Sequence, residues 1–303
     1  MLEKRRPKAL SYGKEWGKLL IPTQYQPFDY RWVCYSEGIL TSPQTSVMSH
    51  ITKGENIALC FSRGQQSSPR WTQAFCTKHV VQHHSAAQPE INYVFPFRLF
   101  AHENDLAIGE EWELNLSKFA LEWCRKIGVD LSDLVSFPGY IYAITYSQNY
   151  RLRYQRQLQR DFPRIPLTYN TLLFARLKSH GEALLKLHTL EFSESKYSKG
   201  TFSGSENALI ESVSWSDNTV WIDSKRTSGF PGVSMETWST NIGGYLPCEK
   251  WLKNRKGFKL TKTDIDHYLK IVIAISETNR LMAEIDEAID EHGGWPGAFQ
   301  SAK

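Results

Sequence analysis

The sequence lacks the motifs that usually identify an enzyme acting on nucleotides. It contains no G-x-x-x-x-G-K-[ST] phosphate loop, no G-x-G-x-x-G turn after a strand, and no Asn-Pro-Pro-aromatic motif of the kind that holds an extruded adenine. Glu194 and Lys196 match half of a nuclease motif, but no acidic residue in a convincing strand precedes them. We therefore predict no catalytic residue in this chain.

Cysteine is scarce, and its placement excludes two further classes of protein. The five cysteines are odd in number, scattered and without a C-x-x-C pair, which argues against a disulfide framework or a zinc ribbon. Cys76, His79, His83 and His84 lie close together, but a second ligand pair is missing. A polar loop is therefore favoured over a metal site, and we predict no metal.

Long apolar runs are also absent. The basic residues at positions 4–8 precede no apolar segment, and no run of about 18 apolar residues occurs. Neither secretion nor membrane spanning is supported, and the cysteine usage fits a reducing compartment. We expect a soluble, cytoplasmic protein that does not engage a membrane.

What the sequence does contain is enough apolar and aromatic material for a real core. It has 303 residues, of which 41% are hydrophobic and 13% aromatic, with a formal charge of only +4. Any anion-binding surface must therefore be local. The charges are indeed segregated, because residues 250–262 are rich in lysine and arginine whereas residues 284–291 are acidic.

The order of predicted elements indicates an α+β (mixed α/β) fold. Short apolar-aromatic runs predict strands at 31–35, 56–61, 71–76 and 93–97, and the spacing of apolar residues predicts helices at 117–127 and 169–188. A hairpin is expected near 213–222. We assign residues 1–20 to a polar tether, 21–292 to one domain and 293–303 to a tail.

A long C-terminal helix is predicted over 263–292. Thr263 followed by Asp266 resembles a capping box, and an apolar stripe at helical spacing runs from Ile265 to Ile289. Gly293 and Pro296 end the helix. Because the second half is acidic and would repel phosphates, we expect the helix to be structural, packed on the domain body or on a protein partner.

The segment 140–168, YIYAITYSQNYRLRYQRQLQRDFPRIPLT, carries the strongest functional signal. In a helix, Tyr146, Tyr150, Tyr154 and Leu158 would form one stripe and the arginines a neighbouring one. Guanidinium groups beside a docked aromatic face suit a surface that grips phosphates and reaches bases. An ordinary amphipathic helix with a solvated arginine face is the alternative. The candidate arginines here are Arg151, Arg153, Arg156 and Arg160.

Two further segments, and the single residues Arg31 and His79, are candidates for contact with nucleic acid. The loop at 63–70 joins two predicted strands and carries Arg and Gln, which pair bidentately with guanine and adenine, although a functionless surface loop is the alternative. The basic run is either a phosphate clamp or a solvated turn. The candidate residues outside the helical segment are Arg31, Arg63, Gln65, Gln66, Arg70, His79, Lys253, Arg255 and Lys256.

Several blocks, in their order along the chain, resemble the C-terminal specificity domain of type ISP restriction–modification enzymes and of related adenine-specific DNA methyltransferases. They are QPFDYRWVCY (26–35), ENIALCFSR (55–63), YVFPF (93–97), the segment 140–168, and residues 229–284. The resemblance spans roughly residues 22–286. The family block usually opens with Arg-Pro-Phe-Asp, whereas Gln26 stands in place of that arginine here.

The resemblance implies a domain that recognises a site in double-stranded DNA and positions an N6-adenine methyltransferase and a nuclease on it. S-adenosylmethionine, Mg and ATP would then belong to the linked methyltransferase, translocase and nuclease domains, carried in cis or as a separate subunit, and no cofactor to this chain. Two alternatives remain open: a divergent metal-dependent nuclease using Glu194 and Lys196, and an interaction module without DNA affinity from a truncated gene.

Overall fold

The computed structural model describes residues 17–36, 39–40, 42–65, 68, 70–85, 89–101, 112–197, 200–205 and 207–300. Small sheets and a helical middle share one hydrophobic core, and a long helix closes the chain, so the predicted α+β class is confirmed. Of the predicted tether, residues 1–16 lie outside the described residues, and Leu20 already begins the first strand.

The strands form small, mostly antiparallel sheets. The described strands are β1 Leu20–Gln26, β2 Asp29–Cys34, β3 Ala58–Ser62, β4 Ala74–Thr77, β5 Val80–Val81, β6 Asn92–Pro96, β7 Arg98–Phe100, β8 Trp112–Leu114, β9 Ser214–Ser216, β10 Thr219–Trp221 and β11 Gly229–Pro231. Three-stranded sheets have the orders β2-β1-β5, β4-β3-β6 and β11-β10-β9, and β7 pairs with β8. Only β1 and β5 run parallel among these described pairs.

The helices lie mainly in the middle and at the end of the chain. Ser117 and Asn170 cap the two helices predicted at 117–127 and 169–188, each by accepting a backbone N–H bond. The helices are α1 Thr45–Thr52, α2 Lys118–Ile127, α3 Ser136–Tyr146, α4 Gln148–Arg153, α5 Gln155–Leu158, α6 Thr171–His188, α7 Met235–Ser239, α8 Pro247–Lys253, α9 Lys262–Glu291 and α10 Gly294–Gly297.

The arginine-rich segment is three helices rather than one. Ser147 leaves the helical conformation with ψ 123°, and its hydroxyl then accepts the N–H of Tyr150, which starts α4. Asp286 on α9 accepts bonds from the Ser147 hydroxyl and from the backbone N–H groups of Gln148 and Asn149. An anionic side chain at a helix N-terminus is favourable, so α9 holds the break in place.

The side chains of the predicted aromatic stripe face the core on both sides of this break. Tyr146, Tyr150 and Leu158 are fully buried, and Tyr154 packs against the same core. Short helices on either side of the break still turn the same face inward, because burial of large aromatic side chains outweighs the loss of a continuous backbone ladder.

Helices α3 and α6 approach each other unusually closely. A Cβ built on Gly181 would stand 1.8 Å from the carbonyl oxygen of Gly139. Glycine at both positions therefore lets the two backbones touch, and the buried side chains of α6, among them Leu177 and Leu184, pack around that contact.

The long helix α9 is a core helix. Its capping box is formed by Thr261 and Asp264, two residues before the predicted pair, so the helix begins earlier than expected. The apolar stripe is confirmed: Tyr268, Ile275, Ile285 and Ile289 are all fully buried. The helix docks on the domain body, where its acidic end also pairs with α6.

Residues 293–300, which we assigned to a tail, pack on the domain. Trp295 stacks on Phe299 and contacts the ring of Tyr150. The carbonyl of Ala298 accepts a bond of 2.9 Å from the Thr168 hydroxyl. The folded part of the chain thus extends to the last described residue, 300.

Candidate nucleic-acid interface

The loop after β3 is built by its own polar side chains. Gln65 is only 1% exposed, and its Oε1 accepts the backbone N–H of Thr72 at 3.0 Å. The Ser62 hydroxyl donates to the carbonyl of Gly64, which has a φ of 75°. Gln65 therefore shapes the loop and does not face solvent, contrary to its assignment as a base-reading residue. Gln66 lies outside the described residues.

The two arginines of this loop are its exposed part. Arg63 and Arg70 are both exposed, and Arg63 Nε lies 3.4 Å from Asp161 Oδ1 in a solvent-facing ion pair. The backbone N–H of Gln65 donates to the carbonyl of Gln159 at 3.3 Å. The loop is thereby attached to the end of α5, which carries further arginines.

Three of the four helical arginines form an exposed group. Arg153, Arg156 and Arg160 are exposed, as the stripe predicted. Arg151 instead turns inward: its Nε donates to the carbonyl of Thr145 at 2.6 Å and its guanidinium stacks on Tyr146. Burial lowers the pKa of Arg151. The break before α4 explains the difference, because it rotates this first turn toward the core.

A second group of cations meets at a buried carboxylate, Asp29. This side chain is 1% exposed, and Arg255 Nη2 lies 2.9 Å from its Oδ1 while Arg31 Nη2 lies 3.1 Å from its Oδ2. Asn254 also donates to Oδ2 at 3.2 Å. One carboxylate thus orients two guanidinium groups that are more than 200 residues apart in sequence.

Aromatic rings complete the orientation of these two arginines. The Arg31 guanidinium lies 3.7 Å from the ring centroid of Tyr25, and that of Arg255 lies 3.7 Å from Trp251. Each guanidinium group is hydrogen-bonded to Asp29 and packed against an aromatic ring. It therefore loses little conformational entropy when it binds a phosphate. Sequence reasoning missed Asp29, although its position two residues before Arg31 on one strand was a usable signal.

The remaining candidates are less organised. Lys253 and Lys256 are exposed, and Lys253 pairs with Glu249 one turn earlier on α8. His79 is partly buried with its ring edge-on to Tyr30, and burial lowers the pKa of His79. Lys253 and Lys256 therefore lie where a phosphate can reach them, and Lys253 would exchange its exposed partner Glu249 for it, whereas His79 belongs to the packing around β1 and β2.

The turn at residues 241–245 contacts the base of the arginine loop and the basic run. Gly243 donates its N–H to the carbonyl of Thr72, just after that loop, at 3.1 Å. Tyr245 donates to the carbonyl of His84 at 2.9 Å and lies beside Lys250. Gly243 and Gly244 both have positive φ values, which allow the backbone to turn tightly here.

The residues that suggested metal chemistry lie in ordinary structural contacts. Glu194 pairs with Lys270 at 3.1 Å, and burial raises the pKa of the Cys76 thiol. Within the ranges that the structure describes, no group of three or more His, Cys, Asp or Glu residues could hold a metal ion. In the same ranges, no helix combines the length and apolar character needed to cross a bilayer.

Asp29→Asn is expected to lower the free energy of unfolding by about 2 kcal/mol. Removing one partner of a fully buried pair costs roughly 3–5 kcal/mol, but Arg255 and Arg31 keep contact with water here, which reduces the penalty. Urea denaturation measures the change. Asp161→Asn is the matched control, since its pair with Arg63 is exposed on both sides and should contribute only a few tenths of a kcal/mol. Equal midpoints for both variants would contradict this role for Asp29.

A family comparison identifies the chain. The model of the type ISP C-terminal specificity domain matches residues 3–284. The chain belongs to this family. The resemblance noted in the sequence is therefore confirmed over nearly the whole chain, and the matched residues include every cation described above. Among curated proteins, none matches it.

Solved structures show the same fold for this type ISP specificity domain. The DrdV–DNA complex matches with a TM-score of 0.68 at 18% identity, over 88% of this chain and 28% of that chain. The type ISP enzyme LlaBIII bound to DNA matches with a TM-score of 0.67 at 13% identity, over 88% of this chain and 18% of that chain. A nuclease-deletion mutant of LlaGI gives a TM-score of 0.62 at 13% identity. The chain spans less than a third of the proteins it matches.

Proposed function

We propose that this chain recognises a specific site in double-stranded DNA and places an N6-adenine methyltransferase and a nuclease of a restriction–modification enzyme on it. The observation that carries the proposal is the pair of arginine groups, built from distant segments, on a domain of this family; the buried Asp29 orients one of the two groups. The structures it resembles are complexes with DNA, and two of them are of type ISP restriction–modification enzymes. Neither alternative, nuclease or interaction module, gains support from the geometry.

The two groups have different tasks in this proposal. Lys253, Lys256, Arg31 and Arg255 neutralise phosphates and release counterions, which fixes the register of the domain on the duplex without reading sequence. The exposed arginines of the loop and of α4 and α5 enter a groove, where a guanidinium fork recognises the two acceptors of guanine. His79 and Arg151 remain outside both tasks because they are packed inward.

The chemistry of the whole enzyme would come from other domains. S-adenosylmethionine, magnesium and ATP are proposed to bind the methyltransferase, nuclease and translocase, joined to this domain in one polypeptide or as a separate subunit. The contribution of this chain is to bind and to orient, so that the target adenine is presented to the methyltransferase for extrusion.

Binding to duplex DNA is expected to weaken steeply with salt. About 4 to 8 phosphate contacts give a slope of roughly −0.9 per contact in log K against log salt. Lys253→Ala with Lys256→Ala should weaken binding to all sequences alike and flatten the slope by about 1 to 2. Arg63→Ala should instead reduce discrimination between sites by about 1–3 kcal/mol. Fluorescence anisotropy over a salt series, with labelled duplexes, measures both quantities.

A charge-matched control separates local contacts from net charge. Lys118→Ala with Arg125→Ala removes the same two charges from exposed positions on α2 and should leave affinity and slope nearly unchanged. If the Lys253 and Arg63 variants behave alike, the division between positioning and reading is wrong. If the unmodified chain shows no salt-dependent binding to any duplex, the proposed function itself fails.

A further inference from the structure

A pocket lies directly beside the arginine loop. It is an open pocket of about 370 Å³, lined by the residues leading into β4, by α4 and the start of α5, by α7 with the following Thr240 and Asn241, and by α9. Arg70 of the loop lines it, as do Trp71 and Arg151. The pocket therefore opens among the side chains proposed to read DNA. The sequence does not predict a pocket here.

Two buried hydrogen-bond donors in this wall have no partner among the described residues. They are Nε1 of Trp71, a side chain only 1% exposed, and Nη2 of Arg151. The Arg151 guanidinium carbon lies 5.7 Å from the Trp71 ring centroid, so the two donors belong to one place. Buried donors are nearly always satisfied, and leaving a charged one unpaired is unfavourable. Both atoms are covered by neighbouring side chains, so a ligand with neighbouring acceptors would satisfy them after a small shift of the pocket wall.

The rest of the lining fits a nucleobase better than a phosphate. Amide and hydroxyl side chains, including Asn241, Asn279 and Thr72, stand beside the apolar Met282, which suits a flat, partly apolar molecule with polar edges. Glu236 also lines the pocket, and its carboxylate would repel a phosphate. Because both unpaired atoms are donors, the base that fits has two neighbouring acceptors with no N–H between them, as guanine has in O6 and N7 and cytosine has in N3 and O2.

An exposed leucine stands among the residues lining this pocket. Leu152 is 62% exposed, lines the pocket, and lies in the chain between Arg151 and the exposed Arg153. An exposed leucine side chain adds little to the stability of the fold, and the neighbouring core is filled by Tyr150 and Tyr146. Apolar side chains beside DNA-binding arginines act elsewhere as wedges that enter a base step and keep it open.

From these observations we propose that the pocket receives one base displaced from the duplex, guanine or cytosine, while Leu152 fills the space it leaves. This rests on the proposed DNA-recognition function and extends it: the recognition domain would read one base outside the helix in addition to those in the groove. The displaced base differs from the methyl-acceptor adenine, whose amino group is a donor.

The test uses the complete chain without any catalytic domain. Selection from a random duplex library first defines the bound site. Duplexes are then made in which the partner of each base in turn is removed, which lowers the energy needed to displace that base. We expect binding to tighten about tenfold at one guanine or cytosine position and to weaken or stay equal elsewhere. The identity of that position distinguishes the two bases.

Two variants connect this effect to the pocket. Leu152→Ala should weaken binding to the intact site about tenfold but change binding to the partner-less duplex less than threefold, because the gap there is already open. Leu172→Ala, a leucine of similar exposure on α6, is the control and should alter neither. Ser239→Phe, at an exposed position in the pocket lining, should abolish the tightening while the chain still binds DNA.

The outcomes separate the two proposals. Failure to enrich any site would overturn the DNA-recognition function and this inference with it. An enriched site with no position at which removal of the partner tightens binding would overturn this inference alone. Tightening that persists in Ser239→Phe would place the displaced base elsewhere and would also overturn the assignment of the pocket.

Discussion

Gly181→Ala is expected to lower the free energy of unfolding by about 3 kcal/mol or more. The added Cβ would lie 1.8 Å from the carbonyl oxygen of Gly139 and 2.9 Å from its Cα. These are backbone atoms, so the clash is relieved only if α3 and α6 separate. The helix propensity gained from alanine, about 1 kcal/mol, offsets only part of this cost.

Chemical denaturation of a graded set of variants tests the close helix contact. Gly139→Ala should destabilise less, because its nearest neighbours would lie at 3.1 Å. Gly297→Ala, where no atom lies within 4 Å, is the control and should change the unfolding midpoint little. A Gly181 variant as stable as the Gly297 variant would mean that the two backbones do not touch as described.

The fold is also expected to lose stability as the pH falls from about 6.5 toward 3, because His188 is buried in its neutral form. Its side chain is completely buried, and burial, with the nearby charge of Arg151, lowers the pKa of His188 to about 3. In the unfolded chain the same group takes up a proton near pH 6.5. Between these two values the unfolded state binds one more proton than the folded state, so stability decreases with falling pH.

Hydrogen bonding explains why the neutral form is required. The Thr278 hydroxyl donates to the carbonyl of Ala274 at 2.7 Å, so it accepts from Nε2 of His188 at 2.9 Å. Nδ1 therefore has no proton and accepts from the Tyr142 hydroxyl at 2.6 Å. Protonation at Nδ1 would force the Tyr142 hydroxyl to turn and accept, and it would place a charge among aromatic rings, without a carboxylate to pair with it in these contacts.

The expected loss from this one group is roughly 2–3 kcal/mol at pH 4.5, from a slope approaching about 1.4 kcal/mol per pH unit. Urea unfolding at several pH values measures it. His188→Gln should be less stable at pH 7.5 yet show a flatter dependence on pH. The exposed His83→Gln is the control and should keep the slope of the unmodified chain. An unchanged slope in His188→Gln would show that other groups cause the acid sensitivity.

The proposed interface depends on residues whose partners are far away in sequence. Arg255 was predicted as a phosphate contact from the density of charge around it, but its orientation comes from Asp29. Gln65 has a side chain of the type that pairs with adenine, but its Oε1 already accepts a hydrogen bond from the backbone N–H of Thr72. Arg151 belongs to the arginine-rich segment, yet it points to Tyr146. In each case the residue type suggested contact with DNA, but the partner in the folded chain determined whether the side chain faces solvent.

The sequence by itself determined the fold class, most of the larger elements and the family, because hydrophobic periodicity, capping residues and ordered motif blocks are local or linear signals. It also identified the exposed arginines Arg153, Arg156 and Arg160, since a helical stripe separates them from the tyrosines. Tertiary structure alone decided the break at Ser147, the clamp at Asp29 and the pocket beside Trp71. These arise where segments more than 70 residues apart pack together, and burial there sets which polar groups are paired, a property that no linear pattern contains.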